Sequence, residues 1–168
     1  FPDNHSAFKI ALTGLKGGHS GLDIHLERGN ANKLIFRLLK YIVANNSVRL
    51  SSIEGGTLRN AIPREAFAEV AVPDHRTEDF LNSVHQFQEM FSHELGSVEP
   101  DLSLTAEKAE APHFVMDEMT QDDLINGIQA CPNGVVRMST DMPGLVETSL
   151  NLAIVQSHNK EVHVKALV

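Results

Sequence analysis

Apolar residues alternate along Phe8-Lys9-Ile10-Ala11-Leu12-Thr13, which places Phe8, Ile10 and Leu12 on one face of a strand. A glycine-rich stretch, Gly14 to Gly21, follows. The spacing then becomes helical over about Asn30–Ala44, where Leu34, Ile35, Leu38, Leu39 and Ile42 form an apolar stripe. Lys33, Arg37 and Lys40 fall on its wet side. Val48–Ile53 and Ala66–Val72 predict two further strands, separated by Gly55-Gly56 and Pro63. A second helix, capped around Thr77, carries Phe80, Val84, Phe87, Phe91 and Leu95 at helical spacing. A fourth strand covers Leu102–Thr105. The order β-α-β-β-α-β predicts an α+β fold of ferredoxin-like arrangement, an antiparallel-rich sheet with the helices on one face.

Beyond Pro112 the pattern changes. A helix is expected near Thr120–Ala130, with a Thr cap and an acidic first turn, closing at Cys131-Pro132-Asn133-Gly134. Strands are expected at Val135–Ser139, Thr148–Val155 and Glu161–Val168. Turns at Met142-Pro143-Gly144 and at Ser157-His158-Asn159 join them. Residues 1–110 therefore read as one unit and residues 111–168 as a partial second α/β unit. The last alternation runs to Val168 without a turn or polar tail, so the expectation is a piece of a longer protein.

Composition narrows the function classes. The chain has 168 residues, 42% of them hydrophobic, enough for the core of one domain. No apolar run approaches the ~20 residues that span a bilayer, so no membrane partner is expected. The single Cys131 cannot form an internal disulfide; nothing suggests a stapled secreted scaffold, and the expected compartment is the cytoplasm. With 14 basic against 22 acidic residues the net charge is −8, which disfavours nucleic acid as a partner.

Nine histidines raise the question of a metal. Zinc sites need closely spaced ligands. His85 and His93 stand eight residues apart without a second ligand nearby, and His19, Asp23 and His25 lie in a glycine-broken loop. No self-contained metal site is expected. Cys131 reads as structural, because the negative pole of a helix is the wrong place for a nucleophilic thiolate. Ser20 adjoins His19, but neighbours in sequence rarely adopt the geometry of a nucleophile and its base. The glycine run lacks the Lys-Ser/Thr of a P-loop. Two segments remain: Gly17-Gly18-His19-Ser20-Gly21, and Gly55-Gly56-Thr57-Leu58-Arg59-Asn60-Ala61-Ile62-Pro63. The residues alone fit two readings, turns with exposed polar residues or loops that bring His19 and Asn60 into a cleft.

The wording of these segments goes further. Gly14-Leu15-Lys16-Gly17-Gly18-His19-Ser20-Gly21, Asp23-Ile24-His25 and Gly29-Asn30-Ala31-Asn32-Lys33-Leu34 resemble the lid domain of bacterial aminoacyl-histidine dipeptidases. These Xaa-His dipeptidases are carnosinase-like members of the di-zinc metallopeptidases. Gly55 to Glu65, Pro132 to Arg137 and Val146 to Asn151 match in the same order, so the resemblance spans nearly the whole chain. It implies that residues 1–168 form a lid, or dimerisation-type, domain whose catalytic domain lies elsewhere. That domain holds two zinc ions and a general-base Glu. His19 matches the lid His that reaches the scissile carbonyl, and Asn60 the lid Asn that helps hold the substrate. The implied partners are a dipeptide, the protein's own catalytic domain, and a second copy that pairs through helix faces and an edge strand. The alternatives are the lid of a related acylase, tripeptidase or carboxypeptidase, or a dimerisation module without a catalytic role.

Overall fold

The alternation at the start of the chain is realised as β1 (His5–Thr13), with Phe8, Ile10 and Leu12 buried and Lys9 exposed. A computed structural model describes every residue except Asn159. In chain order the elements after β1 are β2 (Gly18–His19), α1 (Ala31–Asn46), β3 (Arg49–Gly55), β4 (Ala61–Ile62), β5 (Ala66–Pro73), α2 (Thr77–Leu95) and β6 (Ser103–Lys108). Then come α3 (Glu118–Ala130), β7 (Gly134–Met138), β8 (Val146–His158) and β9 (Glu161–Leu167). The predicted turn at Ser157-His158-Asn159 falls partly on Asn159, outside the described residues.

Four long strands lie in the order β6-β1-β5-β3, and every neighbouring pair is antiparallel. This is the ferredoxin-like sheet predicted from the pattern. One face buries Phe8, Ile10, Leu12, Leu50, Ile53, Ala68 and Val70 against Ile35, Leu38, Leu39 and Ile42 of α1 and Phe80 and Phe91 of α2. Each of these side chains except the Ala68 methyl contributes on the order of 1.5–3 kcal/mol by leaving water. The opposite face is wetter. There Lys9 pairs across the strands with Glu69 and lies over the Phe67 ring at 5.1 Å.

Residues beyond 110 extend the same layers. Among the described residues β8 joins the edge of β3 through two pairs, Glu54↔Gln156 and Gly55↔Val155, and β7 and β9 pair with β8. α3 packs beside α1 and adds Ile125 and Ile128 to the core. Among the described residues no helix is long and apolar enough to cross a membrane.

Three local expectations are corrected. Lys33 is not on a wet face: its ammonium donates to the carbonyls of Ile128, Gln129 and Cys131 at 2.8–2.9 Å, capping the end of α3. Burial pushes its pKa down, and the nearby Cys131 opposes that shift. Thr120 is not the cap of α3. The cap is Asp117, whose carboxylate accepts from the Thr120 backbone N–H and hydroxyl, and these bonds hold it below the usual carboxylate range. Thr77 is the first residue of α2 and Arg76 takes the cap position without a side-chain bond, because a 3₁₀ turn over Asp74–Arg76 runs directly into the helix.

Candidate functional site

The loop between β1 and α1 carries His19 and is held at both stems by one side chain. Glu99 is 1% exposed, and its two carboxylate oxygens accept from the backbone N–H groups of Lys16 (2.8 Å) and Gly29 (2.9 Å). Inside that clamp, Arg28 donates to the Gly17 carbonyl at 2.6 Å. Asp23 accepts from the His19 backbone N–H at 2.8 Å and faces Arg28 at 3.8 Å. Gly18 lies at φ 137°, and a Cβ there would sit 2.6 Å from both Arg28 and Asp23, so glycine is required. The His19 ring is exposed, and its Nδ1 accepts from the Gly21 N–H at 3.0 Å. In the neutral ring that bond assigns the proton to Nε2, which remains a donor.

Asn60 stands beside this loop. β2 and β4 form a separate two-stranded ribbon in which Gly18 faces Ile62 and His19 faces Ala61. The Ser20 N–H extends the ribbon by donating to the Asn60 carbonyl at 2.9 Å. The two segments singled out in the sequence, forty residues apart, are thus one structure. The Asn60 turn is in turn fastened to β8. Asn151 donates to the Ala61 carbonyl at 2.8 Å and reaches that of Arg59 at 3.5 Å, while Gln156 donates to Gly56 at 3.2 Å. The result is an exposed imidazole on the ribbon and an exposed amide on the turn that leads into it. Leu22 and Leu58, 71% and 61% exposed, flank them in sequence as an apolar rim.

Residues 10–99 match the family described as the peptidase dimerisation domain. The chain belongs to that family. Over 167 residues the domain is 40% identical to the cytosol non-specific dipeptidase of Escherichia coli, covering 99% of this chain and 34% of that protein. Its fold matches the crystal structure of an aminoacylhistidine dipeptidase from Vibrio alginolyticus with a TM-score of 0.96 at 41% identity, over 99% of this chain and 34% of that one. The chain spans about a third of the length of these relatives.

Other candidates in the dimerisation domain are not brought together. His25, His85 and His93 are exposed, and among the described residues no three His, Cys, Asp or Glu side chains assemble as a metal site. The Cys131 thiol lies 3.7 Å from the Pro132 carbonyl. Sequence reasoning passed over the residues that hold the ribbon in place. Asn30, Asn133 and Asn151 meet: the Asn30 amide donates to Asn133 Oδ1 (2.9 Å) and the Leu152 carbonyl (3.0 Å) and lies 3.5 Å from Asn151 Oδ1. All three stand in segments that carried the family resemblance, which was the available signal. Glu99 stood in none.

Proposed function

We propose that this domain is the lid of a dipeptidase that hydrolyses Xaa-His dipeptides, in which His19 stabilises the oxyanion and Asn60 orients the substrate. The observation that carries the reading is the ribbon that sets an exposed His19, its Nδ1 engaged by the Gly21 N–H, beside Asn60. When water attacks a peptide carbonyl, negative charge grows on the oxygen, and a fixed donor in a closed site lowers the barrier. A neutral imidazole N–H on a glycine-rich loop suits that task, because a close approach is open to it and no proton need be lost. The Asn60 amide offers two donors and an acceptor to the substrate's polar groups. The described residues do not fit a metal site, so the two zinc ions belong in this reading to a catalytic domain outside residues 1–168, and the roles of His19 and Asn60 do not depend on which metal is present. The cytoplasm is the compartment that suits the single free cysteine and the likeness to a cytosol dipeptidase.

The test uses the whole enzyme. His19→Ala should lower kcat about a hundred-fold for a Xaa-His dipeptide. Asn60→Ala should raise KM with a smaller change in kcat. Metal content should stay unchanged in both. Full activity in His19→Ala, or loss of metal from it, would overturn the assignment.

Pairing with a second copy is the other role that a specific observation favours. Among the described residues β6 is an edge strand bonded only to β1, and the neighbouring helix α2 exposes Leu81 and Met90. A free edge beside apolar helix surface suits isologous pairing. Light scattering of the whole enzyme should give the mass of a dimer; a monomer at high concentration would remove this role.

A further inference from the structure

The geometry points to Asn151 as a positioning residue that fixes the Asn60 turn, and through the ribbon the His19 loop, from the far end of the chain. The inference rests on the reading of Asn60 as a substrate-orienting residue and adds a part to it. Asn151 is 1% exposed, yet it lies on β8, some ninety residues from the turn it holds. Its amide nitrogen faces the carbonyls on both sides of Asn60, at 2.8 Å to Ala61 and 3.5 Å to Arg59. Those two acceptors require a donor at this atom. A carboxylate of the same shape would set one oxygen against another in a buried place.

The nitrogen is oriented in its turn. Asn151 Oδ1 lies 3.5 Å from the amide of Asn30, whose own Oδ1 caps α1 by accepting from the Lys33 N–H at 3.2 Å. Asn133 accepts from both the Asn30 amide and the Leu152 N–H, each at 2.9 Å. Three neutral amides therefore connect the start of α1, the entry to β7 and the middle of β8 to one exposed turn. Because His19 pairs with Ala61 in the ribbon, a shift of the Ala61 carbonyl displaces both candidate residues. A satisfied neutral network of this kind fixes geometry without placing a charge beside the reacting groups.

The experiment compares Asn151→Asp with the parent and with Asn60→Ala in the whole enzyme. Two readouts are taken: hydrogen exchange at the Ser20 and Ala61 amides, and KM and kcat for a Xaa-His dipeptide. Asn151→Asp should speed exchange at both amides about tenfold or more while the core amides of α1 and β1 stay protected. It should also raise KM in the same direction as Asn60→Ala, with kcat changed less. Should Asn151→Asp fail to fold, Asn151→Ala, which lets water reach the two carbonyls, is expected to give the same pattern. Unchanged exchange at Ser20 and Ala61 overturns the inference, whatever the kinetics. Faster exchange without a KM effect also overturns it, provided that Asn60→Ala does raise KM. If Asn60→Ala leaves KM unaltered, the reading of Asn60 falls instead, and the exchange result still decides whether Asn151 holds the turn.

Discussion

The His19 loop and the Asn60 turn are halves of one ribbon, but they are held by opposite chemistry. The first is gripped by a buried carboxylate that accepts from two backbone N–H groups thirteen positions apart, Lys16 and Gly29 at the loop's two stems, with a partly exposed ion pair inside the grip. The second is gripped by neutral amides on β8 that donate to backbone carbonyls. The difference follows from what each segment leaves unpaired. The His19 loop leaves N–H groups at its stems, which need an acceptor, and a carboxylate supplies two at once. The Asn60 turn leaves carbonyls, which need donors, and an amide or guanidinium can supply them. An amide does so without burying charge.

Breaking the charged grip should have the largest effect. Glu99→Ala strands the Lys16 and Gly29 N–H groups in a buried place, and the domain should lose about 3 kcal/mol of unfolding free energy in urea titration. A loss below about 1 kcal/mol would show that water replaces the carboxylate and that the grip is not structural. On the other half, Gly56→Ala tests how closely the Asn60 turn is fitted to β8. Gly56 has φ 74°, and an added Cβ would lie 1.8 Å from the Ala153 carbonyl. A destabilisation of about 2 kcal/mol is expected, together with faster exchange at Ala61. Asp23→Asn should matter least. Its ion pair with Arg28 is long and partly exposed, and the variant keeps an oxygen for the His19 N–H, so a change under about 1 kcal/mol is expected by thermal melting. A larger loss would mean that charge also fixes the inner part of the loop.

Much of this molecule can be read from its pattern. Leu34 to Ile42 and Phe80 to Leu95 recur at helical spacing because one face of each helix is buried, and Phe8, Ile10 and Leu12 alternate for the corresponding reason in a strand. Periodicity fails where burial is not periodic. β2 and β4 have two residues each, too few to show any alternation, so nothing in the sequence announces that His19 lies against Ala61. Lys33 occupies a polar position on α1, but its long side chain reaches three carbonyls on α3 that only the packing of the helices supplies. Glu99 lies outside every segment that the sequence singles out, Asn151 lies inside one without any sign of its role, and the burial of both depends on segments remote in sequence. Composition can identify His19 and Asn60 as candidates because glycines surround them. It cannot identify what holds them.

The bond from Asn151 to the Ala61 carbonyl has a consequence for the order of synthesis. It spans ninety positions of the chain. A ribosome adding about 5–20 residues per second makes the turn roughly 5–18 s before it makes the side chain that fastens it. Through that interval the carbonyls of Arg59 and Ala61 can be met only by water or by transient partners. The turn is made early and secured late.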